Sequence, residues 1–119
     1  VVCGDVFAID DALLDECDAV YDRAALIALP PAMRLRYARD VYARLPGRCQ
    51  GLLITLEYPQ HEKEPPPFSV NEEEVRTLFD KDWSIDLLER RDILSQQPIL
   101  AEEGITSLHT AVYRLGRRA

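Results

Sequence analysis

Apolar positions along this chain fall into two rhythms. In the first they run together in short blocks. Asp18-Ala19-Val20-Tyr21 closes on Asp22-Arg23, and Gly51-Leu52-Leu53-Ile54-Thr55-Leu56-Glu57-Tyr58 is apolar through its centre. Trp83, Ile85 and Leu87 alternate with polar neighbours, and Leu108 to Leu115 forms a last block. These blocks predict strands over 18–21, 51–58, 83–88 and 108–115. The unbroken apolar core of 51–58 predicts burial on both faces, as in a parallel sheet covered by helices.

In the second rhythm apolar residues recur at helical spacing. Met33, Tyr37, Val41 and Leu45 are four apart, with Ala38 and Tyr42 beside them. Arg34, Arg36, Arg39, Asp40 and Arg44 fall largely on the other side, so 31–45 reads as one amphipathic helix. Pro31 suits its first turn and Pro46-Gly47 ends it. Asn71 with Glu74 predicts a capping box opening a helix to about Lys81, with Val75, Leu78 and Phe79 as its apolar stripe. A shorter helix is expected over 23–29, stopping before Pro30. Pro59 to Pro67 reads as a loop, and 89–104 as a polar stretch. Val1-Val2-Cys3 resembles the end of a strand broken by Gly4-Asp5, the inside of an element rather than a natural start.

Strands alternating with helices predict an α/β domain built on parallel units with right-handed crossovers. The last two strands lack a long helix between them, so they are expected to pair antiparallel at one edge. The expected sheet is therefore mostly parallel with an antiparallel edge strand.

Composition narrows the function classes. The chain has 119 residues, 47% hydrophobic and 29% charged, the balance of one folded domain or part of a larger one. A formal net charge of −7 argues against a nucleic-acid partner, which requires a basic patch. No apolar run reaches membrane-spanning length, and no basic segment leads an apolar one as in a signal peptide. Cys3, Cys17 and Cys49 are odd in number and widely spaced, which points away from a disulfide scaffold or zinc site and towards buried, reduced thiols. His61 and His109 stand alone, without neighbours at metal-ligand spacing. The expectation is a cytoplasmic protein with neither membrane nor metal.

Four blocks carry a resemblance. Cys3-Gly4-Asp5-Val6-Phe7, Tyr21-Asp22-Arg23-Ala24-Ala25-Leu26-Ile27-Ala28-Leu29-Pro30, Leu52 to Tyr58 and Pro66-Pro67-Phe68-Ser69-Val70 occur in this order. Together they resemble the thiopurine S-methyltransferases, in their bacterial form, along essentially the whole chain. The resemblance implies the C-terminal half of a Rossmann-like, S-adenosylmethionine-dependent methyltransferase sheet. Residues 1–119 would hold strands four to seven with their helices, 18–22 being the fourth strand and 51–58 the fifth. The N-terminal cofactor-binding half would be absent. The five glycines, Gly4, Gly47, Gly51, Gly104 and Gly116, lie far apart, so the glycine-containing turn expected around the methionine end of the cofactor is missing.

The resemblance also implies site residues. Asp5 and Val6 sit where the adenine edge is read: an aspartate there accepts from an exocyclic amine and nearby N–H groups bond ring nitrogens. The bland alternative is a turn or cap. Arg23 directly follows a strand read as buried, at the mouth of the cleft, where a guanidinium holds a carboxylate bidentately; the resemblance places it against the cofactor or between cofactor and substrate. Its alternative is a surface arginine paired with Asp22. Asp22 either orients Arg23 or contacts the acceptor, or it caps the helix after it. Pro66, Pro67 and Phe68 would form a rigid wall for a flat ring, or merely route a surface loop. No catalytic base is expected, since heteroaromatic thiols are already acidic. The implied reaction is methyl transfer to thiopurines or other aromatic thiols, with selenium and tellurium compounds also in reach. The implied partners are a small-molecule thiol and no macromolecule, the intact protein being a monomer. The rival reading is a non-catalytic methyltransferase-like fragment or interaction module.

Overall fold

A computed structural model describes residues 3–118. The strand end expected at 1–3 falls partly on Val1 and Val2, outside the described residues, and Cys3 is not in a strand. Four strands form one sheet: β1 (Ala19–Arg23), β2 (Gln50–Glu57), β3 (Trp83–Asp92) and β4 (His109–Arg117). Their order is β1-β2-β4-β3. β1 and β2 are parallel, while β4 runs antiparallel to both β2 and β3.

This is an α/β domain with a mixed sheet: β1, β2 and β3 share one direction, β4 opposes them, and the last two strands pair antiparallel as expected. The antiparallel strand is not at the edge, which corrects that part of the expectation. β4 is interior, flanked by β2 and β3, and one face of it, Ala111, Tyr113 and Leu115, is fully buried in the core. β3 takes the edge because its second half, Glu89 to Asp92, is charged and exposed, which suits an unpaired strand rim. It also extends four residues past the expected 83–88, into the stretch read as polar loop.

The helices are α1 (Asp11–Asp15), α2 (Pro31–Asp40), α3 (Glu72–Phe79) and α4 (Pro98–Glu102). None is long and apolar enough to cross a membrane. The helices α2 and α3 contribute Tyr37, Val75 and Phe79 to the main core, against Leu53, Trp83, Tyr113 and Leu115 of the sheet. On β2 burial alternates: Leu53 and Thr55 are fully buried, whereas Leu52 is 36% exposed and Tyr21, opposite it on β1, is 64% exposed. The expected burial of this strand on both faces is therefore corrected. Of the cysteines, all free, only Cys49 is buried.

Two local details depart from the sequence pattern. The helix expected over 31–45 ends at Asp40 and resumes as a 3-10 turn at Tyr42–Arg44, which turns the Tyr42 ring into the core. Arg34, assigned by periodicity to the outer side, is 2% exposed. It donates to the Leu29 carbonyl at 2.9 Å, pairs with Glu74 on α3 and lies over the Phe68 ring. Asn71 caps α3 as expected, its Oδ1 accepting from the Glu74 N–H at 2.9 Å, but the Glu74 carboxylate is taken by Arg34 instead of closing the box.

Asp22 ties α2 and the following turn to β1. It is 2% exposed, and Oδ2 accepts from the Tyr37 hydroxyl at 2.9 Å and the Tyr42 hydroxyl at 2.7 Å. Its Oδ1 accepts from the Leu26 N–H at 3.1 Å. No cation pairs with it among the described residues. Burying a carboxylate costs several kcal/mol unless donors replace its hydration, and these three donors do so. Burial, reinforced by the Asp22 charge, pushes both phenols above the ordinary tyrosine range. Burial also pushes Tyr113 up to about 12.

Two expected outcomes follow from this packing. A Cβ added at Gly51 would stand 2.9 Å from Val20 Cγ1 and 3.2 Å from Leu115 Cβ. Gly51→Ala should therefore destabilise the fold by about 1–3 kcal/mol in urea unfolding; an unchanged midpoint would contradict this packing. The tyrosines favour their neutral form in the fold more than in the unfolded chain, where a phenol titrates near about 10. Their contribution is complete below that pH and is lost as pH rises through the higher folded values. The melting temperature should stay level to about pH 10 and fall above it; a level profile to strongly alkaline pH would contradict the buried phenols.

Candidate functional site

β1 ends at Arg23, and strand alternation decides what its last two residues do. Asp22 points to the covered face, where its oxygens are occupied. Arg23 points to the open face, in register with Ile54 of β2. The pairing of Asp22 with Arg23 considered from sequence is thus absent. Ala24 follows with φ at 99°, a conformation that costs a non-glycine residue roughly 1–3 kcal/mol. The turn is held on its far side by Asp22 through Leu26, by the Phe68 N–H donating to the Ile27 carbonyl at 2.6 Å, and by Arg34 on the Leu29 carbonyl.

This turn, the ends of β1 and β2, and the segment after β3 enclose a cleft of about 250 Å³. Ile27, Ile54, Leu56 and Ile93 give it apolar walls, and Arg23, Gln97 and Thr110 supply its polar heads. A cleft at the carboxyl ends of parallel strands is where open α/β sheets bind ligands. Every other arginine among the described residues has an acidic partner or, for Arg36 over Phe7, an aromatic ring. Arg23 alone has none. A fixed positive charge against apolar walls attracts an anion more strongly than the same charge in water.

Asp5 and Val6 are brought together elsewhere. Asp5 precedes a 3-10 turn (Val6–Ala8), and its Oδ1 accepts from the Phe7 N–H at 3.0 Å. Both residues line a cavity of about 320 Å³ whose other walls include Ile9 and Leu13. The two cavities share no residue. The Asp5 carboxylate is exposed, and its Oδ2 has no partner among the described residues.

The prolines lie on a loop tied down at both ends. Tyr58 donates its hydroxyl to the Pro67 carbonyl, and Gln60 accepts from the Ser69 N–H at 2.8 Å. Pro66 is exposed, Pro67 and Phe68 are half-buried, and the Phe68 ring packs on the core beneath Arg34. This segment touches the Arg23 cleft through Ile27, by way of the Phe68 N–H, and does not itself line it.

Sequence reasoning missed Ile54, Leu56, Ile93, Gln97 and Thr110. The first two were legible as the open-face positions of β2 once Arg23 was placed on that face. Thr110 follows from its register with Leu56. Ile93 and Gln97 carry no local signal. They are placed by a 3-10 turn (Leu94–Gln96) and by a small second core of Tyr58, Ile105 and Leu108.

The family model described as thiopurine S-methyltransferase (TPMT) matches residues 1–118. A protein of Xanthomonas axonopodis pv. citri named thiopurine S-methyltransferase is 60% identical over 118 residues, covering 99% of this chain and 54% of that protein. Proteins of the same name from Nitrosomonas eutropha and Bordetella pertussis are 56% and 54% identical, covering 100% and 98% of this chain and 54% and 53% of theirs. The chain spans about half the length of the curated relatives it matches. It belongs to the thiopurine S-methyltransferase family of enzymes.

Proposed function

We propose that this chain is the C-terminal half of a Rossmann-like methyltransferase that uses S-adenosylmethionine to methylate thiopurines and other aromatic or heterocyclic thiols. Selenium and tellurium analogues fall in the same reading. The observation that carries it is the unpaired Arg23 guanidinium at the rim of an apolar cleft, in a chain of this family.

The residues present fit one end of the cofactor. The free Oδ2 of Asp5 can accept from an exocyclic amine, the Val6 N–H lies beside it, and Ile9 and Leu13 offer apolar contact to a flat base. No cluster of glycines serves the methionine end. S-adenosylmethionine, when bound, would supply a sulfonium methyl: the acceptor thiolate sulfur would bond to that carbon in line as its bond to the sulfonium sulfur breaks, leaving two neutral thioethers. Arg23 holds the acceptor as its thiolate, so no general base is required. Ile27, Ile54, Leu56 and Ile93 exclude water and align the ring, which lowers the cost of bringing two sulfur atoms into line. Pro66, Pro67 and Phe68 back this wall through Ile27. Asp22, turned away from the cleft with its oxygens filled, acts by holding the turn.

The open face of the sheet supports the view that further chain completes the site. Parallel βαβ sheets are covered on both faces, and here Tyr21 and Leu52 are exposed on one. Calorimetric titration with S-adenosylmethionine separates an incomplete enzyme from a non-catalytic module. Weak or no heat is expected for this chain, and binding once it is joined to the part of the Xanthomonas axonopodis protein that has no counterpart here. Absence of binding in both would favour the module. In that joined enzyme Arg23→Ala should lower kcat/KM for a heteroaromatic thiol at least about tenfold, or about 1.4 kcal/mol. Unchanged kinetics would remove Arg23 from the site.

A further inference from the structure

Arg23 depends on a backbone that does not hold itself. Ala24 at φ 99° is a conformation that relaxes unless the surroundings over-determine it. One side chain spans this turn from within: Asp22, whose Oδ1 takes the Leu26 N–H, four residues on. Its other oxygen is fixed by two phenols from outside the turn, Tyr37 on α2 and Tyr42 on the 3-10 turn after it. The two rings brace each other edge to face at 5.2 Å, and Tyr42 is braced in turn by Phe79 and Trp83. A hydrogen-bonded chain therefore runs from the core of the domain to the residue immediately before the cleft arginine.

The chemistry of this cluster is asymmetric in a useful way. A lone cap on Leu26 would need only one oxygen of a small polar side chain. Here a full carboxylate is buried, and among the described residues its donors are all neutral and no arginine neutralises it. The nearest arginine in sequence is its own neighbour, yet strand alternation sends that guanidinium to the opposite face. Two hydroxyls satisfy the buried charge in place of Arg23, which leaves Arg23 free for an external anion.

We infer that Asp22, gripped by Tyr37 and Tyr42, is the positioning residue for Arg23: the phenols hold the carboxylate, the carboxylate holds the turn, and the turn aims the guanidinium at the acceptor. This role rests on Arg23 holding the acceptor, as proposed above. It makes the two tyrosines part of acceptor recognition although neither lines the cleft.

A double-mutant cycle tests it in the joined enzyme. Tyr37→Phe with Tyr42→Phe keeps both rings and removes only the hydroxyls. With Arg23 present, this pair should raise the acceptor KM and lower its kcat/KM about fivefold or more, while the KM for S-adenosylmethionine stays unchanged. In the Arg23→Ala background the same pair should change acceptor kcat/KM less than about twofold, because positioning acts through the missing guanidinium. Equal losses in both backgrounds would show that the hydroxyls serve only the fold, and no loss in either would show that they do not aim the turn; each result overturns the inference. If the paired variant fails to fold, Tyr37→Phe alone enters the same cycle, read the same way. If Arg23→Ala by itself leaves acceptor kinetics intact, the functional reading fails first, and the inference with it.

Discussion

A carboxylate buried without a cation sets the terms for the active end of this domain. Asp22 sits inside the protein with both oxygens occupied by neutral donors. Leaving any of those donors out would strand a charge in a medium that cannot solvate it, at a cost of roughly 1–3 kcal/mol or more. β1, the turn after it and α2 therefore cannot shift independently. Around this point the Arg34 guanidinium repeats the logic with opposite sign, fixing the Leu29 carbonyl, Glu74 and the Phe68 ring. One buried anion and one buried cation together set the path of residues 22 to 34.

The consequence for chemistry is a division of labour between adjacent residues. Asp22 faces in and is used up; Arg23 faces out and is left over. A free guanidinium normally recruits an acid, as all its fellow arginines here do except Arg36, which lies over the Phe7 ring. Arg23 is kept from doing so by apolar neighbours on β2 and by the segment after β3. Such an arrangement suits a reaction in which the protein aligns an acidic sulfur nucleophile and keeps the site dry, while the reactive methyl comes from a bound cofactor.

Much of the fold was legible because its strands are short and strongly apolar. The four strands, α3 with its Asn71 cap and the loop before it follow directly from hydrophobic rhythm and turn residues. The sheet's order was not legible. Which strand lies inside depends on which backbone edges pair, and the alternating apolar face of β4 reads the same on an edge strand as on an inner one. Periodicity also misplaced Arg34, since a helical wheel marks a charged residue as outward even where a half-exposed Glu74 on a neighbouring helix takes it in. At the site, Arg23 was readable from its place at the end of an apolar strand, and Asp22 was readable only as a choice between orienting Arg23, contacting the acceptor and capping the turn. Ile93 and Gln97 were invisible, because a long connection without period places them.

The central claim is that alternation at the end of β1 leaves Arg23 accessible and, among the described residues, unpaired, while every other arginine is engaged. Timed modification with phenylglyoxal, read by peptide mass spectrometry, tests this on the chain itself. Arg23 should be labelled first, Arg34 among the last, and a heteroaromatic thiolate should slow the labelling of Arg23 selectively. Labelling of Arg23 no faster than of the ion-paired surface arginines would contradict the account.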